Sequence, residues 1–203
     1  RRVLFRSETW LSKAGRESHV SFLNATASDQ PVLMTGEAGT GKVRFAGMIH
    51  EAGVNAQGPL RILRIGDPGI GCVEAALFGS AGGGGENPVR GELQRSAGGT
   101  LVIHGLEHLS QPLQSKLAEV LNSGQFQQPG SKMTFPVSCR IICTASADLA
   151  GESAAGRFSK KLWFSLKPMH IPLPPLRRRI EDLPVFCEQF ITSFCVAAKR
   201  PRL

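Results

Sequence analysis

The chain has 203 residues, 41% of them hydrophobic and 20% charged, which fits one main globular domain and excludes disorder, collagen-like repetition and a membrane-embedded body. No apolar run approaches the roughly 18 to 20 residues that cross a bilayer, and the polar start RRVLFRSETW lacks the apolar core of a secretory signal. A cytoplasmic location without membrane contact is expected, and the net charge of +8 suits a nucleotide, a nucleic acid or an acidic protein without choosing among them.

In chain order, residues 8–27 carry a helical pattern whose apolar face is Trp10, Leu11, Ala14, Val20, Phe22 and Leu23, weakened at Gly15. Residues 31–35 form a short apolar run ending at a glycine-rich turn, and helical spacing resumes over 43–51 through Phe45, Met48 and Ile49. Residues 60–65 have strand composition, 73–78 read as a short helix, and the glycines at 82–85 as a flexible loop. Buried strands are predicted over 100–103 and 137–144, separated by a helix over 111–122 with Leu113, Leu117, Val120 and Leu121 on one side. Short apolar strands alternating with helices predict an α/β fold with a parallel sheet covered on both faces.

Pro172, Pro174 and Pro175 read as an ordered linker, after which helical spacing returns over 180–196. The expected division is a linker and helix over 1–29, an α/β core over 30–170, and a linker with the beginning of a helical unit over 171–203, the chain ending as a fragment inside that unit. Cys72, Cys139, Cys143, Cys187 and Cys195 are odd in number and contain no CxxC pair, so they read as reduced and mostly buried rather than as metal ligands. The basic clusters at 177–179 and 199–202 are not interleaved with aromatics and read as solvated faces or packed linker.

Gly36-Glu37-Ala38-Gly39-Thr40-Gly41-Lys42 matches the first seven positions of GxxxxGK[ST] between a predicted strand and a predicted helix. Glycines there let successive backbone N–H groups converge on phosphate oxygens, the helix start favours negative charge, and Lys42 supplies a point charge, so ATP or ADP is the expected ligand. Thr40 is a lesser contributor. Val43 departs from the pattern, because a Ser or Thr at that position would offer its hydroxyl to magnesium.

Further motifs follow in order: Leu77-Phe78-Gly79, Gly98-Gly99-Thr100-Leu101, the helix and turn at 113–124, Cys139-Arg140-Ile141-Ile142, and Pro174-Pro175-Leu176-Arg177-Arg178-Arg179 with Asp182. With the loop, they make the chain resemble the central AAA+ domain of bacterial sigma-54-dependent transcriptional activators over about residues 30 to 190. The resemblance implies a P-loop AAA+ three-layer fold with a parallel central sheet followed by a small helical lid, self-association, and action on the sigma-54 RNA polymerase. It also exposes departures. The family's Asp-Glu pair, which holds magnesium and polarises water, falls on His104 and Gly105, and its sensor Ala-Thr-Asn on Thr144-Ala145-Ser146. Two arginines presented to a neighbouring subunit fall on Ser159 and Ser165, and the GAFTGA loop that engages sigma-54 becomes SAGGGGENPVR at 80–90.

These departures predict ATP or ADP binding with weak or absent hydrolysis and poor magnesium grip, with no catalytic residue assigned, and the altered loop counts against contact with sigma-54. An active ATPase is the competing reading, with Glu107, Asp67 or Glu37 as substitute base; Glu107 otherwise reads as a solvated carboxylate at a helix start. A third reading comes from Leu4-Phe5-Arg6-Ser7, which resembles the LFRS segment with which FleQ-type regulators bind cyclic di-GMP. The Arg-Asn pair accompanying that segment falls on Gly47 and Met48, and the plainer reading is a linker with Phe5 packed on the domain. No helix-turn-helix reader is recognisable, so any DNA binding is assigned to domains outside this chain.

Overall fold

Val32–Thr35, Thr100–His104 and Arg140–Ala145 are apolar-rich runs, and each becomes a strand of a parallel sheet, buried along nearly all its length. The computed structural model describes residues 11–82 and 87–198. Its elements are α1 (Lys13–Thr26), β1 (Val32–Thr35), α2 (Lys42–Ala52), β2 (Leu60–Arg64), α3 (Val73–Phe78), β3 (Gly79–Ser80), β4 (Val89–Arg90), α4 (Glu92–Arg95), β5 (Thr100–His104), α5 (Gln111–Ser123), β6 (Gln125–Gln127), β7 (Thr134–Pro136), β8 (Arg140–Ala145), α6 (Leu149–Ala154), α7 (Lys160–Leu166), β9 (His170–Pro172) and α8 (Leu183–Ala197). The central sheet runs β2-β5-β8-β1-β9, parallel throughout, and β3–β4 and β6–β7 are small antiparallel hairpins.

Alternation along each strand sends side chains to two cores. Leu33, Leu101, Ile103 and Ile141 pack with Leu77 of α3, Leu117 of α5 and Leu162 of α7. Val32, Met34, Val102, Ile142 and Ile171 meet Phe22 of α1 and Phe45 and Ile49 of α2 on the opposite face. The expected three-layer arrangement is therefore present, with the C-terminal ends of β1, β5 and β8 converging on the loop that opens α2.

Several local readings change. The buried stripe of α1 is Gly15, Ser18, His19, Phe22 and Ala25, whereas Leu11, Val20 and Leu23 are exposed. Phe22 keeps its expected place, Trp10 lies outside the described residues, and Gly15, Ser18 and Ala25 take positions where α1 packs against α2 and β9. β8 begins at Arg140 rather than 137, because Val137 N–H is drawn to Gly124 O and Ser138 O accepts from Gly98 N–H, leaving Arg140 to open the ladder. Pro172 closes a fifth sheet strand instead of belonging to a linker: at the sheet edge its missing donor is harmless, and Ile171 is fully buried beside it. A 3₁₀ turn at Ile180–Asp182 precedes α8, so the α-helix starts at Leu183.

The cysteines are all free but not mostly buried. Cys143 is buried, Cys139 and Cys195 half-buried, Cys72 and Cys187 exposed. Burial pushes the Cys143 thiol up to about 12 and Cys139 to about 11, which keeps both protonated and inert. No helix among the described residues is long and apolar enough to cross a membrane.

Candidate functional site

β1 delivers the chain to Gly36 and α2 starts at Lys42, so the predicted loop hangs at the C-terminal edge of the sheet. Gly36 has a φ of +153°, and a Cβ there would lie 2.5 Å from the Leu173 carbonyl oxygen, so only glycine fits between the loop and the strand exit of β9. Gly36 N–H donates to Ala145 O at 3.2 Å, and Thr40 Oγ1 donates to Glu37 O at 2.8 Å, which closes the loop on itself. Lys42 curls back across it and donates to Gly36 O at 2.6 Å, Glu37 O at 2.9 Å and Ser146 Oγ at 3.0 Å. Burial pushes the Lys42 ammonium below its ordinary pKa, opposed by the charge of Glu107.

Two cavities meet at this loop. One, of about 300 Å³, lies between the Gly39 and Gly41 backbone and the side chains of Lys42, Val43, His104 and Ser146. The other, of about 250 Å³, is mainly apolar and is walled by Phe45, Met48, Leu176, Phe186 and Phe190, with Arg44 and Arg179 at its polar rim. Gly39, Gly41 and Arg44 line both. The Arg44 guanidinium lies 5.0 Å from the centre of the Phe190 ring and that of Arg179 5.2 Å from Phe186. Arg179 also donates to Thr40 O at 3.0 Å, so the segment before α8 is fastened to the phosphate loop. Arg177 adds a bidentate pair with Glu37, at 2.8 and 2.5 Å, on the exposed side.

His104 ends β5 with Nδ1 2.6 Å from Thr144 Oγ1. Burial, and then the charges of Arg64 and Lys42, hold its pKa below the usual histidine value, so the ring is neutral at pH 7. Gly105 has a φ of +87°, and a Cβ on it would stand 2.9 Å from Ile65 O. Glu107 is not a solvated carboxylate: Oε1 accepts from Ser146 N–H at 2.9 Å and Oε2 is buried without a partner among the described residues. It does not line the phosphate cavity, but its charge acts on Lys42 and His104, which do. Asp67 caps its own turn through Gly69 N–H, and Glu37 is held by Arg177.

Among the described residues no carboxylate lines the phosphate cavity, Val43 has no hydroxyl, and His104 has one nitrogen engaged with Thr144. Magnesium prefers hard oxygen donors in an octahedron, so these residues do not fit it. No cluster of histidine, cysteine or carboxylate side chains suited to a metal occurs among the described residues.

Ser159 caps α7, accepting from Leu162 N–H at 3.4 Å, and Ser165 donates to Asn122 Oδ1 at 3.1 Å, so both stand in local structural roles. Leu4, Phe5, Arg6 and Ser7 lie outside the described residues, as do residues 83–86 of the altered loop. Of the pair expected beside LFRS, Met48 lines the apolar cavity. The sequence reading missed the contact of Ser146 with Lys42 and the two-arginine clamp on the loop. The i, i+4 spacing of Phe186 and Phe190 was the available signal for the apolar cavity.

A sequence profile described as the Sigma-54 interaction domain matches residues 12–172. The chain belongs to this family. It is 34% identical over 170 residues to the Nif-specific regulatory protein of Rhizobium leguminosarum bv. trifolii, a match covering 82% of this chain and 48% of that protein. It is also 34% identical over 170 residues to the transcriptional regulatory protein ZraR of Klebsiella oxytoca, covering 82% of this chain and 38% of ZraR. Among solved structures, NtrX from Brucella abortus in complex with ADP superposes with a TM-score of 0.82 at 26% identity over 95% of this chain and 42% of NtrX. The ATP complex of NtrX gives 0.77 at 26% identity, covering 92% of this chain and 42% of NtrX. The chain thus spans less than half the length of these relatives and is the AAA+ P-loop domain that they share.

Proposed function

We propose that this AAA+ domain is a nucleotide-responsive regulatory module of a sigma-54-activator-type transcription regulator, holding ATP or ADP and hydrolysing it slowly or not at all. The observation that carries this reading is an assembled phosphate cradle opening on a cavity that no carboxylate among the described residues lines. The Gly36–Gly41 backbone and Lys42 receive the phosphates, and the adjoining apolar cavity between α2 and α8 receives the base. The ADP and ATP complexes of NtrX support the ligand class. With no carboxylate to polarise water and serines at the expected arginine positions, turnover loses two contributions, each worth at least about 10² in rate. The output is allosteric: nucleotide bridges the α/β core and α8, and thereby sets how the domain presents itself to copies of itself.

The test is a titration of ADP and ATP with and without magnesium, beside an ATPase assay across protein concentration. ADP binding should persist in EDTA within about twofold, and Lys42→Ala should weaken it by roughly 30-fold, the equivalent of about 2 kcal/mol for a lost charged hydrogen bond. Robust turnover abolished by Lys42→Ala would instead establish an active ATPase.

A further inference from the structure

A second concave surface lies away from the phosphate loop, along the outer edge of β2. β2 is the terminal strand of the sheet, and among the described residues nothing pairs with its outer side. A groove of about 570 Å³ follows that edge, closed on its far side by α3, α4 and the β3–β4 hairpin. Exposed, unpaired strand edges invite another strand, and proteins normally cover or blunt them. This edge is left open, with Ile62 40% exposed on it and Val89 51% exposed across the groove.

The charge of the groove is uneven. Arg61, Arg64, Arg90 and Arg95 line it against Asp67 and Glu92. Glu92 is already held by Arg61 through two contacts and approached by Arg95 at 3.5 Å. Arg64 and Arg90 pair with no carboxylate among the described residues. No aromatic ring lines the groove, so it lacks the stacking platform that single-stranded nucleic acid uses. What it offers is a row of backbone groups, apolar contacts at Ile62, Ile70 and Val89, and the guanidiniums of Arg64 and Arg90, which no described carboxylate holds.

We infer that the β2 edge is a docking site for an extended acidic segment of a partner protein, which joins the sheet as a sixth strand. Backbone hydrogen bonds to β2 supply the register. Ile62 and Arg64, two residues apart on one face of the strand, take an apolar side chain and a carboxylate two residues apart in the segment, and a further carboxylate pairs with Arg90 across the groove. The five residues of β2 match a peptide strand of roughly 17 Å. This site is independent of the nucleotide reading and shares no lining residue with either cavity at the phosphate loop.

The experiment is fluorescence anisotropy of a fluorescein-labelled nonapeptide in which valine and glutamate alternate at every second position with threonine between them, at about 50 mM salt so that charge pairing is weakly screened. Saturable binding is expected. It should weaken at least about tenfold for Arg64→Glu combined with Arg90→Glu, and should vanish when alternate peptide nitrogens are methylated or glutamates become lysines. An unchanged urea-denaturation midpoint shows that the double variant is folded, and the peptide controls test the site on the unaltered protein. The inference is overturned by absent saturation, by binding indifferent to N-methylation, or by a single-stranded oligothymidylate of equal charge binding more tightly. It is equally overturned if the edge is filled by a second copy, seen by light scattering as dimerisation that the double variant abolishes and the peptide cannot displace.

Discussion

At Gly105 the backbone itself disfavours a glutamate. A side chain there is strained by the left-handed φ of +87° and pressed against Ile65 O, so a glutamate at this position cannot simply be reinstated. Gly105→Glu is expected to destabilise the domain by about 1 to 3 kcal/mol, read by urea denaturation, without raising ATP turnover. Neighbouring histidines make a different statement. His50, bonded to Thr100 Oγ1 at 2.9 Å, and His170, bonded to Thr35 Oγ1 at 2.7 Å, both have pKa values lowered by burial, as does His104. The unfolded chain therefore takes up protons near pH 6.5 while the folded one still resists them, and stability falls as pH drops through that value. The Tm should decline between pH 7.5 and 5.5, a window above the range where carboxylates titrate. Replacing His50 and His170 together by Gln should lessen that decline, leaving the part due to His19 and His104.

The elements that meet around the site are joined by one buried carboxylate. Asp182, in the turn before α8, accepts from Leu11 N–H at 2.8 Å, Ser12 N–H at 2.7 Å and Ser12 Oγ at 2.8 Å, while Ser12 Oγ itself accepts from Gly15 N–H and caps α1. One residue thus fastens the start of α1 to the entry of α8 across the sheet edge. Asp182→Ala leaves these donors without their acceptor and is expected to remove about 2 to 4 kcal/mol of stability. Limited proteolysis should show faster cleavage around 176–182. The sequence makes Asp182 visible only as a motif residue, because a bond across 170 positions has no local signature. The phosphate loop, β1, α2 and β5 were legible, since glycine spacing and continuous apolar runs are local signals. The α1 face was misjudged in part, because Gly15, Ser18, His19 and Ala25 share its buried stripe with the expected Phe22 where it packs against α2 and β9. β9 was hidden by Pro172, and Glu107 by its distance in sequence from Ser146.

On the function proposed above, the domain as a whole would divide a nucleotide between two bodies of structure, with phosphates on the α/β core and the base against α8. The clamp of Arg177 and Arg179 on the loop already joins these parts, so ligand adds to an existing contact. ADP at about 100 times its Kd should contribute about 2.7 kcal/mol and raise Tm by roughly 5 to 10 °C. Cys187 and Cys72 give the placement a chemical reporter, because both thiols are exposed but only Cys187 lines the apolar cavity beside the loop. Alkylation of Cys187, followed by peptide mass spectrometry, should slow severalfold when ADP is added, whereas Cys72 should react at an unchanged rate. A Tm increase without protection of Cys187 would place the base outside the apolar cavity and break the proposed link between nucleotide and α8, leaving phosphate capture by the loop intact.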